Sequence, residues 1–470
     1  MKRRDFLKTG SLAALGGMLL TPFGAKANTI KEEFRGRKAK NIIFMVSDGM
    51  SVGTMIMADI YLKRKNGQSS NWVGLYEDNL VQRALMDMAS ANAIVTDSAA
   101  ASSSWGGGVR VNNGSLNVSP NGKENMPILQ KFKKAGKKVG CVTTVPITHA
   151  TPAGFCVTSK RRNAMDHIAE QYAELNFDVM MGGGSQYFDK DKRKDKKDVF
   201  DLFAKKGYTI AKTKSEMLNA PKNKPILGTF DEDAVPYTVD HLRDEKASKN
   251  IPSLAEMAQK AIDQMKDHKN GFALQIEGGK VDWAAHGNDI AALLFDQIAF
   301  DEAVKVVMDF AKNDKNTLVV ITSDHGNANP GLIYGGKTND NFDHLQKFIH
   351  SNDWILQGIH ASSSTSFVKD RIAEACGGFA VTDEQAKELL SYYNNLKKED
   401  GLYNHKNLPF RALAEMQKAY TSVGWISMDH SSDYTELAMY GPGSENLKSF
   451  VRNTDMHNFL LNAAHVENKF

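Results

Sequence analysis

Cysteine is scarce: Cys141, Cys156 and Cys376 are the only three in 470 residues, and none falls in a Cys-x-x-Cys spacing. A dense disulfide scaffold is excluded, leaving room for one bridge. Long apolar runs are missing as well. The small and apolar stretch 11–20 falls short of the ~20 residues needed to span a bilayer, and no later stretch is long enough. No repeat of fixed period recurs. A surplus of one charge is also lacking once position is considered. The formal net charge is +4, from 59 Lys+Arg against 55 Asp+Glu. Residues 1–27 carry Lys2, Arg3, Arg4, Lys8 and Lys26 against Asp5, and without them the two signs are equal in number. A broad nucleic-acid footprint then loses its compositional support.

What is present is an ordinary globular composition, 41% hydrophobic and 24% charged, in a chain long enough to bury a large core. Its start reads KRRDFLK, then SLAALGGMLL, then Ala25-Lys26-Ala27: a charged region, a short apolar region and a small-residue processing site. Arg3–Arg4 followed by Phe6 and Leu7 resembles a twin-arginine export signal. That resemblance implies export after folding, cleavage near Ala27, a periplasmic or secreted location and no membrane anchor.

From residue 41 the chain alternates strand-like and helix-like stretches. Strands are predicted at Asn41–Val46, Lys138–Thr144, Asp178–Met181, Phe272–Ile276, Thr317–Thr322 and Glu436–Tyr440, with a further apolar run at Ala93–Val95. Several are apolar without polar alternation, as strands buried on both faces of a sheet are. Helices are predicted over Asn125–Ala135, with Asn125 as cap and Pro127 in the first turn, and over Ser253–Met265 and Asp289–Phe310. The pattern is α/β: a three-layer sandwich with a large, mostly parallel central sheet flanked by helices, plus surface insertions. We expect one core over 28–470. The lysine-rich stretch 190–226, with alternating signs, reads as a solvated insertion. Residues 331–425, which hold a helix-like piece at Asp383–Leu396, read as a larger insertion.

Polar residues gather just after the apolar runs. Ser47-Asp48-Gly49 follows the first, and Thr96-Asp97-Ser98 follows Ala93–Val95. His149-Ala150-Thr151 follows a third, and Glu277, Asp282 and His286 follow a fourth. Asp324-His325-Gly326 follows a fifth, while Asp429-His430 precedes the last. Carboxyl ends of strands form one rim in an α/β sheet, so these residues are predicted to meet. So many carboxylates in one place repel one another unless divalent cations lie between them. Asp282 and His286, four apart, share a face if Asp282 opens a helix. Asp324 and His325 converge only where the backbone turns, which Gly326 permits. Ser98 sits where a strand leads into a helix N-terminus, whose free N–H groups favour an anion. It is either a nucleophile or the cap of that helix.

Taken together, FMVSDGM (44–50), VTDSAA (95–100), THATPAG (148–154), EGGKVDWAAH (277–286), TSDHG (322–326) and MDHSSDYTELAMYGPG (428–443) resemble the metal-dependent alkaline phosphatases. The resemblance implies hydrolysis of phosphate monoesters, small-molecule substrates, with an alkaline optimum. It implies a phosphoserine on Ser98, two zinc ions, one magnesium ion and a homodimer. One zinc would be held by Asp282, His286 and His430, the other by Asp48, Asp324 and His325. Magnesium would sit near Asp48, Thr151 and Glu277. Arg162, beside Arg161, falls at the phosphate-binding arginine, and Asp97 flanks the nucleophile. His149 and Trp283 resemble the pair found in marine and cold-adapted bacterial members, with His149 expected to reach magnesium through water.

Two alternatives stand beside this reading. One is a phosphodiesterase or sulfatase of the same superfamily, although no Cys-x-Pro-x-Arg element of the sulfatase type is present. The other is a non-catalytic metal- or phosphate-binding protein, which would need no activatable serine. No nucleic-acid recognition motif is found.

Overall fold

A computed structural model describes residues 33–399 and 402–469. The export signal predicted at 1–27 lies outside the described residues. Ten strands make the main sheet. They are β1 (Asn41–Ser47), β2 (Gln82–Asp87), β3 (Lys138–Pro146), β4 (Val179–Gly183), β5 (Thr209–Ala211), β6 (Ile226–Thr229), β7 (Phe272–Gly278), β8 (Thr317–Thr322), β9 (Thr435–Tyr440) and β10 (Phe450–Arg452). Their order across the sheet is β10-β2-β9-β8-β1-β7-β3-β4-β6-β5. β9 pairs antiparallel with both β2 and β8, and every other pairing is parallel.

The unbroken apolar runs have a direct cause. Ile43 and Met45 of β1 point into one core with Leu274, Ile276, Val319 and Ile321. Their neighbours Ile42, Phe44 and Val46 point into the other with Ala273, Leu318 and Val320. Both faces are therefore dry, as in a sheet covered on each side. Helices α1 (Ser98–Gly106), α2 (Ile128–Lys134) and α3 (Ala150–Cys156) cover the second core. Helices α4 (Leu254–Met265), α5 (Lys280–His286) and α6 (Ile290–Asp314) cover the first.

Three local expectations change. The run Ala93–Val95 is irregular chain, and the strand before it is β2, whose residues alternate in exposure. Asn125 does not cap α2: the cap position is Pro127, and the Asn125 amide donates to Asn117 O at 3.1 Å and Ser119 Oγ at 2.8 Å. The stretch 190–226 is not wholly solvated. It contributes the edge strand β5, and the Arg193 guanidinium is buried against Glu170 and Asp195, both at 2.6 Å.

Residues 331–425 supply none of the ten strands. Gly331–Leu332 pairs with Val423–Gly424, so this segment leaves and returns at adjacent points. It is pinned to the sheet helices by Asp289, the N-cap of α6. The Asp289 carboxylate accepts from Ala292 N at 3.0 Å, and also from Asn352 N at 2.6 Å and Asp353 N at 3.3 Å, which open α7 (Asn352–Gln357).

Candidate active site

The parallel strands β1, β7 and β8 end together, which puts Asp48, Glu277 and Asp324 at one rim. β9 runs the other way, so its rim end is its beginning. That reversal is why His430 precedes its strand while the other candidates follow theirs. A two-residue ladder, His430–Ser431 against Gly326–Asn327, then holds His430 beside His325. Gly326 has no left-handed backbone here. Its glycine answers a close approach: a Cβ would lie 2.4 Å from Ser431 Oγ. Gly49 is left-handed at φ 65°, and a Cβ there would meet Asp282 Oδ1 at 2.4 Å and Asp282 Cα at 2.9 Å.

Within the rim, ligand-type atoms fall into three groups, each within 4.8 Å: Asp282–His286–His430, Asp48–Asp282–His325 and Asp48–His149–Glu277. α5 delivers Asp282 and His286 one turn apart, with Oδ2 to Nε2 at 3.5 Å. Asp324 Oδ2 is 3.2 Å from His325 Nε2, and Asp48 Oδ1 is 3.6 Å from it. The Thr151 hydroxyl donates to Asp48 Oδ2 at 3.2 Å, and the Thr143 hydroxyl donates to Glu277. His149 is itself a member of the third group.

Histidine hydrogen bonds set which ring nitrogens face the centre of these groups. His286 Nδ1 is 2.7 Å from Met428 O, His430 Nδ1 is 2.9 Å from Thr96 O, and His325 Nδ1 is 3.3 Å from Gly326 O. Each Nδ1–H thus donates to a carbonyl, leaving the Nε2 lone pair pointing inward. Two such lone pairs, on His286 and His430, face each other at 3.1 Å. Asp48 Oδ1, Asp324 Oδ2 and Glu277 Oε1 are buried there without a hydrogen-bond partner. Lone pairs and carboxylate oxygens aimed at shared points fit bound divalent cations.

The carboxyls respond to that crowding. Burial, then Asp324, Asp282 and Glu277, pushes Asp48 well above the usual range. Burial raises Asp324 to about 6 and Glu277 to about 7. Asp282 goes the other way: burial opposes its ionisation, but His286, His325 and His430 together hold it low. Burial and then Arg162 lower His149 to about 3.

Ser98 is the first residue of α1 and is buried. It is not the cap. Asp97 takes that role, accepting from Ala100 N at 2.9 Å, so the Ser98 hydroxyl is free to face His325 Nε2 at 3.2 Å. Arg161 is exposed, whereas Arg162 turns inward. Its Nη1 donates to Asp97 Oδ2 at 3.0 Å, and its Nη2 to His149 Nε2 at 3.2 Å. Trp283 is half-buried, with its ring edge-on to His149 at 6.0 Å.

Sequence reasoning missed Asn327, whose amide donates to Asp282 Oδ1 at 2.7 Å and fixes that carboxylate. Its one signal is its place two residues after His325. Thr143, in the middle of an apolar strand, gave none.

Carboxylates and histidines grouped so that they could hold cations, beside a serine freed by its neighbour's cap, fit an α/β metallohydrolase, and the inward arginine matches an anionic substrate. Comparison with known proteins narrows the class. The profile of the alkaline phosphatase family matches residues 39–466, and the chain belongs to that family. Alkaline phosphatase 4 of Bacillus subtilis is 31% identical over 442 residues, spanning 90% of this chain and 88% of that protein. The Escherichia coli alkaline phosphatase is 28% identical, over 70% of this chain and 82% of that one. Among solved structures, the Thermus thermophilus alkaline phosphatase superposes with a TM-score of 0.85 at 30% identity, covering 95% of this chain and 96% of that one. A cold-active alkaline phosphatase from Shewanella sp. shares the fold, with a TM-score of 0.74 at 23% identity over 90% and 99% of the two chains. The protein is thus a metal-dependent phosphate-monoester hydrolase.

Proposed function

We propose that the chain hydrolyses phosphate monoesters through a phosphoserine on Ser98, with two zinc ions and one magnesium ion at the rim. The observation that carries this reading is the freed Ser98 hydroxyl, at a helix N-terminus and against the inward nitrogen of His325. Mixed Asp/His sets suit zinc: Asp282, His286 and His430 for one ion, Asp48, Asp324 and His325 for the other. Asp48, Glu277 and the Thr151 hydroxyl suit magnesium, with His149 alongside. When bound, the ions supply charge that favours an ionised serine and a departing alkoxide.

The residues of the chain do the positioning. The first N–H groups of α1 and the Arg162 fork receive the non-bridging phosphoryl oxygens. Asp97, which caps α1 and accepts from Arg162, sets nucleophile and fork in one frame. Ser98 Oγ loses its proton and forms a bond to phosphorus while the bond to the alcohol oxygen breaks on the opposite side, towards Asp282, His286 and His430. The departing oxygen takes up a proton to leave as the alcohol. Water then attacks phosphorus from that side, releasing inorganic phosphate and restoring Ser98. Charge-stabilised in-line transfer of this kind asks little covalent chemistry of the protein.

Replacing Ser98 with alanine tests the reading. Turnover of 4-nitrophenyl phosphate should fall by at least about 10³-fold, as when a nucleophile is lost. The acid-quenched phosphoenzyme should vanish while bound metal is retained. Undiminished turnover would refute the serine route. A diester and a sulfate ester assayed beside the monoester separate the superfamily alternatives.

The same reading extends to the whole protein. No helix among the described residues is long and apolar enough to cross a membrane. The Arg3–Arg4 segment supports twin-arginine export to the periplasm or medium, and the family resemblance supports a homodimer. N-terminal sequencing of the exported protein and sedimentation equilibrium test these two points.

A further inference from the structure

Lys280 opens α5 and is no ligand, yet it is set deep in the fold, the residue only 7% exposed. Its backbone N–H donates to Thr144 Oγ1 of β3 at 3.1 Å. Its Nζ lies 3.5 Å from the centroid of the Tyr237 ring and 4.9 Å from that of Trp283. Asp296, Asp353, Asp233 and Asp240 act on it electrostatically. Asp353 comes from α7, so the 331–425 segment supplies part of the countercharge.

Burying an ammonium is costly, and a methionine would fill the same space without that cost. The arrangement has a second consequence that packing alone does not require. Lys280 and Trp283, three residues apart, share one face of α5, while Asp282 and His286 share another. A cation over an indole fixes the ring plane as well as its position. That indole is in T-shaped contact with the His149 ring, the two centroids 6.0 Å apart and the planes at 77°. His149 Nε2 in turn accepts from Arg162 Nη2 at 3.2 Å, and Arg162 Nη1 is tied to Asp97. Ammonium, indole, imidazole and guanidinium thus form one continuous line from the interior to the phosphate fork.

We propose that Lys280 is a positioning residue for phosphate: it fixes the Trp283 plane, and through Trp283 and His149 it fixes the Arg162 guanidinium. The proposal rests on the reading of Arg162 as the phosphate-binding arginine. It assigns Lys280 to ground-state binding of the phosphoryl group and leaves bond formation at Ser98 untouched.

The test uses the full-length, metal-loaded enzyme. Lys280→Met is expected to raise KM for 4-nitrophenyl phosphate and the inhibition constant of inorganic phosphate together, by about tenfold. Its kcat stays within about twofold and its zinc content stays at the wild-type value. Lys280→Arg, which keeps a cation over the indole, restores both constants. In a Trp283→Leu background, Lys280→Met adds nothing further, because the two residues act in series. If the methionine variant does not fold, Lys280→Gln carries the same expectations. Unchanged KM and phosphate inhibition overturn the proposal. So does an equal loss in the Trp283→Leu background, or a loss of zinc, which would make Lys280 a support for Asp282 instead. Arg162→Met serves as the control. If it leaves phosphate inhibition unchanged, the reading of Arg162 falls and the proposal falls with it. If it weakens phosphate while Lys280→Met does not, only the proposal falls.

Discussion

Stripping the metals should make stability depend on pH in one particular direction. Glu277 is fully buried, and its carboxyl is raised from 4.5 to about 7. Asp324 is raised from 3.8 to about 6, and Asp48 is raised well above its ordinary value. For a carboxyl raised in the folded state, the fold is unpenalised below the unfolded pKa. Stability is then lost as pH climbs from the unfolded value to the folded one, and no further above it. Glu277 alone costs the stripped protein about 3 kcal/mol by pH 8, all of it accruing between about pH 4.5 and 7. In a chain of this size that lowers the apparent Tm by about 3 °C. Asp289 and Asp296, also raised to about 7, penalise stripped and loaded protein alike. The difference between the two forms therefore isolates the rim. The assay is calorimetry from pH 5 to 8, on EDTA-treated and on zinc- and magnesium-loaded protein. The gap in Tm should widen steadily to about pH 7 and then level off. Glu277→Gln should narrow it by flattening the stripped curve. A stripped-protein Tm that is constant or rises over this range would refute the electrostatic account of the site.

Two further perturbations follow from close contacts. Gly49→Ala forces an L-residue into the left-handed region, at about 1 kcal/mol, and drives a methyl into the Asp282 backbone. Zinc retained after dialysis should drop below the wild-type content, measured by atomic absorption, with activity falling in proportion. Asp289→Ala removes an acceptor for three N–H groups, two of them in α7, and should lower stability by about 2 kcal/mol. Limited proteolysis should then cut first within 331–425, and early cleavage elsewhere would contradict Asp289 as the clamp.

Legibility followed locality. Asp282 and His286 could be read as a pair because one helical turn sets their geometry. β1, β3, β7 and β8 could be read because burial on both faces writes an unbroken apolar run. β2 escaped because its residues alternate in exposure, and β5 because three residues carry no pattern. Whether Ser98 capped its helix was undecidable from residue type, since both Asp97 and Ser98 can cap. The answer lay in one side-chain bond to Ala100 N. Gly326 was placed correctly for a wrong reason: the close approach of Ser431 and Asp433, and not a left-handed turn, demands its bare backbone. Asn327 acts on a partner 45 residues away in sequence, and periodicity carries no trace of that.

The reversed strand bears on when the enzyme comes into being. β9 lies between β2 and β8, so a chain emerging from the ribosome cannot join β2 to the rest of its sheet until nearly all of it has been made. The same late stretch brings His430 to Asp282 and His286. An unfinished chain would present only two of the three donors proposed for that ion. On the proposed ligand set, metal loading would wait for the end of synthesis, and a copy truncated before His430 would lack one of the three ligands.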